Sequence, residues 1–339
     1  MDSLTQVVLG GAVGEAVLGK KVGNKAVVWG AIAGTIPDLD VLGNYFISGA
    51  VEQAHFHRGP SHSLVFSLVV APILGAMIAR IHRKEGLGMK PWTWLSFLGL
   101  VTHPLLDIFT TWGTEFLWPF HPERIALNSV FVIDPAYTLP FLICLLIVLF
   151  MRRDNPKRRV VNWIGIGWSC LYLTFSLVQK ARARAAFEDQ FARQSLQVEQ
   201  FMTKPTPLNI FLWGAVAKTP EGYYMGYHSL PSGQDNIHLQ HYASDELPPE
   251  IEADPSIQLL RFLAKDYFLV QKQEDGWLIS DLRYMTADFD LEGDESFIFK
   301  YFVSQGANGE LLIEERRGIP TLTSEDLSRF WEVTWNGFE

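Results

Sequence analysis

The sequence predicts an α-helical polytopic membrane domain over residues 1–180, a helical linker over 181–205 and a small soluble α+β domain over 206–339. Three observations carry this reading. Residues 1–184 hold 17 Lys and Arg against 11 Asp and Glu, a net of +6, whereas residues 185–339 hold 11 against 26, a net of -15. Long charge-free apolar runs lie in the first half, and short β-rich runs separated by turn residues lie in the second. A basic, apolar half fits a membrane, and an acidic half of ordinary polarity fits water. The acidic tail also argues against nucleic acid as a partner, because phosphates are repelled.

A spanning helix needs about 20 mostly apolar residues. Residues 63–79, 135–151 and 160–179 are uncharged over nearly that length, and 92–112 is interrupted only by His103 and Asp107. Two shorter, glycine-rich segments, 4–18 and 26–37, are expected to span obliquely or to pack as half-buried helices. Their small residues, Gly10, Gly14, Gly30 and Gly34 among them, permit close helix contact in lipid. Asp2 stands where a secretory signal would carry basic residues, so the first segment is expected to remain in the mature chain. Cys144 and Cys170 lie in apolar runs without a CxxC pair and read as small buried side chains.

Basic residues orient the set. Lys20, Lys21 and Lys25 lie between the first two segments; Arg80, Arg83, Lys84 and Lys90 between the third and fourth; Arg152, Arg153, Lys157, Arg158 and Arg159 between the fifth and sixth. These loops alternate so as to share the cytoplasmic side, and they outnumber the opposing Lys180, Arg182 and Arg184. The expected location is a multi-pass place in a bacterial inner membrane, with the N-terminus and the tail outside.

Ionisable residues in or beside spans are costly and usually functional. Asp38 and Asp40 follow the second segment; His57 and His62 precede the third; His103 and Asp107 lie toward the outer end of the fourth; Asp134 opens the fifth. A topology drawn from Lys and Arg alone thus brings seven such groups to one face. His103 and Asp107 are spaced i,i+4 and share a helical face. Pro37 ends a helix and leaves Asp38 and Asp40 on a turn. Gly59-Pro60 forces a bend, with Ser61 as helix cap, and lets His57 fold back beside His62. Imidazoles with carboxylates suit zinc, manganese or iron, and a set this large suffices for two ions. Taken singly, Asp38 reads as a helix stop, His57 as surface, His103–Asp107 as an intramembrane hydrogen bond and Asp134 as a helix cap. Their convergence weighs against that reading. His55 and His121 are weaker candidates for an outer tier around the site.

At these motifs the chain resembles the YdjM-type inner-membrane, metal-dependent hydrolases, described as LexA-regulated. The resemblance covers roughly residues 1–180. It rests on Met1-Asp2-x-x-Thr5, Pro37-Asp38-x-Asp40, His57-Arg58-Gly59-x-Ser61-His62-Ser63, His103-x-x-x-Asp107 and Asp134-Pro135. It implies hydrolysis at clustered metal. The family pattern continues Asp-x-x-Thr-His, whereas this chain has Gln6 at the histidine's place, a poor transition-metal ligand.

The expected activity is metal-dependent hydrolysis of an ester or phosphoester, with membrane lipids or lipid-linked molecules as substrates. Asp38, Asp40, His57, His62, His103 and Asp107 are the expected ligands of a divalent transition metal, zinc foremost. Asp38, His62, His103 and Asp107 should form the tight centre, with Asp40 and His57 at its rim and Gln6 pointing inward. Asp134 is the expected general base or orienting group, and Arg58 is placed to steady an anionic oxygen. A proton-coupled transporter is the main rival, but its relay would have to thread the membrane, and the inner span ends carry only loop basics. A non-catalytic scaffold displaying the tail is the other.

In the tail, residues 182–204 read as a polar helix ended by Pro205 and Pro207. Strands are expected at 210–217, 223–229, 267–273, 277–282, 297–304 and 311–315 in one antiparallel sheet, and a helix at 257–264. The turns between them include Asn308-Gly309. A final helix should start at Thr323, with Asp326 completing a capping box, and stop near Gly337.

Overall fold

Helix α1 (Ser3–Gly14) begins where the Asp2 carboxylate accepts the Thr5 N–H at 3.0 Å. It continues through a π turn, Glu15–Gly19, and α2 (Lys20–Val22) until Gly23, at φ +60°, stops it. Helix α3 (Asn24–Thr35) follows and tightens into 3-10 turns over Ile36–Phe46, beginning one residue before Pro37. Next come α4 (Ala50–Phe56), α5 (Leu64–Ile81), α6 (Met89–Asp107), α7 (Pro135–Phe150) and the 38-residue α8 (Pro156–Arg193). Every apolar segment expected from the sequence is helical over most of its length; the fourth, expected over 92–112, stops at Asp107. The cap of α5 is Ser63, not Ser61, because Pro60–His62 forms a 3-10 turn of its own. These coordinates come from a computed structural model that describes residues 1–338 apart from 235, 287–296, 307–309 and 318–322. The Asn308-Gly309 turn lies outside the described residues.

The chain divides into two units. One comprises Met1–Phe46, Phe56–Leu177 and Pro207–Asn209; the other comprises Ile47–His55, Val178–Thr206 and Ile210–Glu339. In the first, α1, α3 and α6 approach backbone to backbone. A Cβ added at Gly14 would lie 2.9 Å from the Gly30 Cα, and one at Gly99 would lie 2.8 Å from the Ala33 Cβ. This is small-residue packing of the kind that holds helices together in lipid. Helix α6, with Trp92, Leu95 and Leu100 fully buried, is the centre of the bundle. The outer faces are apolar instead: Leu68, Ile73, Ile143, Ile164 and Leu171 are all exposed. Among the described residues, three helical stretches are long and apolar enough to cross a membrane, Asn24–Phe46, Leu64–Ile81 and Pro156–Arg193. Helix α7 is apolar but shorter. Cys144 is half-buried and Cys170 exposed, not buried as expected, since both sit on helix sides turned partly outward.

The second unit holds two four-stranded antiparallel sheets, not one. Strands β1 (Gln200–Pro205), β2 (Leu212–Thr219), β3 (Gly222–Ser229) and β4 (Leu239–Tyr242) form the first; β5 (Phe268–Gln273), β6 (Gly276–Asp281), β7 (Phe299–Gln305) and β8 (Leu311–Arg317) form the second. Between them run α9 (Pro249–Glu252) and α10 (Pro255–Ala264), and α11 (Ser324–Asn336) closes the chain with the expected capping box at Thr323 and Asp326. The expected helix over 182–204 ends at Arg193. Residues 200–205 pair with β2 from Gln200↔Lys218 to Pro205↔Trp213, and that ladder outweighs their weak helical preference. Residues 47–55 also belong here: Val51 packs with Ile251, Ile257 and Leu260, and the Ser256 hydroxyl donates to Glu52 at 3.0 Å.

Candidate metal centre

Two imidazoles meet where α6 ends and the His57–His62 loop returns. His103 and Asp107 leave one face of α6, with Nε2 and Oδ2 3.6 Å apart. The His103 Nδ1 faces the Gly34 carbonyl, which only accepts, so Nδ1 carries the proton and Nε2 keeps a lone pair. That carbonyl reaches His103 because glycines bring α3 close to its neighbours. On His62, Nδ1 donates to Ser61 Oγ at 2.9 Å, and Ser61 in turn donates to Asp40 Oδ2 at 2.9 Å. The His62 Nε2 is thereby also left as a lone pair. The two Nε2 atoms stand 3.1 Å apart. Bare nitrogens at that distance repel, and a cation or a proton between them removes the repulsion.

Two carboxylates complete the group. Asp38 Oδ1 lies 3.3 Å from His103 Nε2 and 3.4 Å from His62 Nε2, and Asp107 Oδ2 lies 3.6 Å from each. The four ligand atoms all fall within 4.8 Å of one another. Four atoms placed tetrahedrally at about 2.0–2.2 Å from zinc have edges of roughly 3.3–3.6 Å; the five edges that involve an imidazole run from 3.1 to 3.6 Å, and the Asp38–Asp107 edge is within 4.8 Å, so one ion fits once the two carboxylates draw together. The donor chemistry fits too. Asp107 Oδ2 is buried and accepts no hydrogen bond, its nearest cation being Arg58 Nε at 3.3 Å. A buried carboxylate oxygen of this kind gains from a directly bound cation.

The expected tight centre is therefore the group that the fold assembles. Asp40 and His57 lie beside it. Asp40 binds His57 Nδ1 at 2.9 Å through one oxygen, and the Arg58 N–H and Ser61 through the other. Asp40 thus reaches His62 through Ser61 and fixes its ring. Gln6 points inward, donating to Asp107 Oδ1 at 3.0 Å and to the His103 carbonyl at 3.3 Å. The Met1 amino group pairs with the same Asp107 oxygen. Arg58, buried and at φ +63°, sets Nε 3.3 Å from Asp107 Oδ2 and donates from Nη1 to Thr110 at 3.1 Å. Arg124 holds the His57 carbonyl at 2.7 Å, tying the histidine loop to the loop after α6.

Three residues stand elsewhere. Asp134 caps α7: Oδ1 accepts the Ala136 and Tyr137 N–H groups, and Oδ2 accepts the Tyr172 hydroxyl at 2.6 Å. It is outside the four-residue group. His55 belongs to the second unit, its ring against Phe262 at 6.3 Å between centroids. His121 is exposed. Sequence reasoning missed the part of Ser61, taken for a helix cap, and of Thr110 and the Gly34 carbonyl. Ser61 had a signal, standing next to His62, whereas a carbonyl that orients a distant ring leaves none.

Apolar-faced helices around two buried histidines and their aspartates define a helical membrane protein with a candidate metal centre. Comparison with known proteins narrows this. The profile of the YdjM inner membrane protein family matches residues 1–183, more than half the chain, and the protein belongs to that family. It is similar to the inner membrane protein YbcI of Escherichia coli (strain K12), 38% identical over 119 residues covering 33% of this chain and 66% of YbcI. It is also similar to the uncharacterized protein YfhP of Bacillus subtilis (strain 168), 25% identical over 235 residues covering 67% of this chain and 68% of YfhP. No solved structure matches it.

Proposed function

We propose that this protein is a membrane-bound, metal-dependent hydrolase acting on an ester or phosphoester of a lipid or lipid-linked molecule. The observation that carries the reading is the pair of His Nε2 atoms 3.1 Å apart, flanked by Asp38 and Asp107 at zinc-ligand spacing. Asp38, His62, His103 and Asp107 would hold one divalent ion, zinc foremost. Such an ion supplies Lewis acidity and makes water a nucleophile at neutral pH. The protein supplies the rest. Asp40, through Ser61, and the Gly34 carbonyl lock the two imidazoles in the ligating tautomer. Arg58 lends its guanidinium to an anionic substrate oxygen, its charge already balanced by Asp107. The Asp38 side chain is 23% exposed whereas those of His62, His103 and Asp107 are fully buried, so substrate enters on the Asp38 side. Asp134 orients: both its oxygens are engaged in fixing α7.

The test is hydrolysis of bis(p-nitrophenyl) phosphate and a p-nitrophenyl ester by purified protein reloaded with zinc or manganese. Turnover of one of them should fall roughly 100-fold or more in His62→Ala and His103→Ala. Turnover of neither, or equal rates in the variants, would contradict the reading.

The site is proposed to face outward. Its support is the run of basic loops on the opposite side. In a chain with Cys144 and Cys170 replaced by alanine, Asp275→Cys should label from outside intact cells and Lys84→Cys should not. The reverse pattern would turn the site to the cytoplasm.

A further inference from the structure

A second polar cavity lies in the same helical unit, away from the metal centre. Glu15 follows Asp2 by 13 residues on one continuous helical run, about 20 Å at the usual rise per residue. Around Glu15 opens a cavity of about 700 Å³, within the size of small-ligand sites. Five cations line it: Lys20, Lys21, Arg153, Arg158 and Arg159. Arg158 is spent internally. It grips both Glu15 oxygens at 2.8 and 2.6 Å and donates to the Met151 carbonyl at 2.6 Å. Asp154, the other acid of the lining, lies 3.3 Å from Arg152. Lys20, Lys21, Arg153 and Arg159 therefore face the cavity with no ion pair among the described residues.

Two further features say what would neutralise them. Asn162 lines the cavity, is 2% exposed and gives its amide N–H to the Ala12 carbonyl at 2.9 Å, while its Oδ1 accepts nothing. A buried acceptor of this kind takes a hydroxyl donor. Just beyond, on the same helix, Val160, Trp163 and Ile164 are exposed and apolar, a track for acyl chains. We propose that this cavity binds the headgroup of an anionic phospholipid: a phosphodiester held by Lys20, Lys21, Arg153 and Arg159, with a headgroup hydroxyl donating to Asn162. Cationic pockets between transmembrane helices suit such headgroups. The Glu15–Arg158 pair is the floor that keeps α8 and the π turn of the first helical run together. The proposal is independent of the hydrolase reading.

The test is native mass spectrometry of the full-length protein equilibrated with equal amounts of phosphatidylglycerol and phosphatidylcholine. Phosphatidylglycerol should be the lipid retained. In the triple variant Lys20→Gln, Lys21→Gln, Arg159→Gln its affinity should fall roughly 100-fold, about a factor of five per charge. These side chains are exposed and the Glu15–Arg158 pair is left intact, so an unchanged thermal transition without added lipid verifies the fold. Equal retention of both lipids, or undiminished phosphatidylglycerol on the variant, would overturn the proposal. Displacement of the lipid by millimolar inorganic phosphate would assign the cavity to the free anion and overturn the lipid assignment.

Discussion

The two units of this chain distribute polarity in opposite ways. The tail is arranged for water: Leu212, Leu269, Ile279 and Val303 are fully or almost fully buried, and the charged side chains it buries, Lys204, Asp281 and Arg283, lie together. The helical unit turns Leu68, Ile73, Ile164 and Leu171 outward and buries Asp40, Arg58, His62, His103 and Asp107. In water the hydrophobic effect pays for the core, whereas in lipid an outward leucine costs nothing and helices are held by close packing. The buried ions differ as well. In the tail, Arg283 and Asp281 close on each other at 2.6 Å. In the helical unit Glu15 and Arg158 close likewise, but Asp38, His62, His103 and Asp107 are aimed at a common point. The lesson is that buried charge in the tail pairs within itself, whereas at one cluster of the helical unit it gathers ligand atoms at a common point.

Two substitutions sharpen that contrast. Asp40→Asn should have the larger effect. The amide cannot act as the carboxylate that orients the His62 ring through Ser61, and loss of such an outer partner costs roughly 10–100-fold in metal affinity. Competitive chelator titration reads this directly. The thermal transition should move little, because Asp40 joins no apolar core. Large destabilisation with metal affinity intact would break the distinction.

The smaller effect belongs to the tail. Lys204 is buried beside Arg283, and its ammonium lies 5.6 Å from the Tyr284 ring. Burial pushes its amine down to about 7, Asp281 opposing the shift and Arg283 adding to it. An exposed lysine in the unfolded chain titrates near 10.4, so between about pH 7 and 10 the unfolded chain binds a proton that the folded one does not. Stability therefore rises with pH through that window, and the penalty is complete below pH 7. Lys204→Met should raise the tail's unfolding temperature by a few degrees at pH 6, flatten its rise toward pH 10 and leave metal content unchanged. A variant less stable at pH 6 would show the lysine to be a structural asset.

The helical unit was the more legible in sequence, because lipid imposes a length and a polarity that few other environments demand. Residues 63–79 and 135–151 became α5 and α7 with little change. The tight centre was legible for a related reason: an aspartate or histidine at one span end has a benign explanation, but three such ends converge. What failed was non-local or subtle. The strand Gln200–Pro205 is fixed by its ladder with β2, which no local pattern announces. The six strands expected in the tail read as one sheet, where the structure has two, because alternation marks strands and not their partition. The place of residues 47–55 has no local signal, since the core that buries Val51 lies some 200 residues further along. Asp134 beside Pro135 gives the same signal for a reacting group as for a helix cap, and the structure shows the cap.

Asp38, His62, His103 and Asp107 are proposed to hold a metal ion. Elemental analysis of protein purified without chelator tests it most directly, with His103→Ala beside it. About one equivalent of a divalent transition ion, zinc foremost, should accompany the folded wild type and be lost from the variant. Folded wild type that stays metal-free after incubation with zinc and with manganese, or a variant that retains the ion, would contradict it.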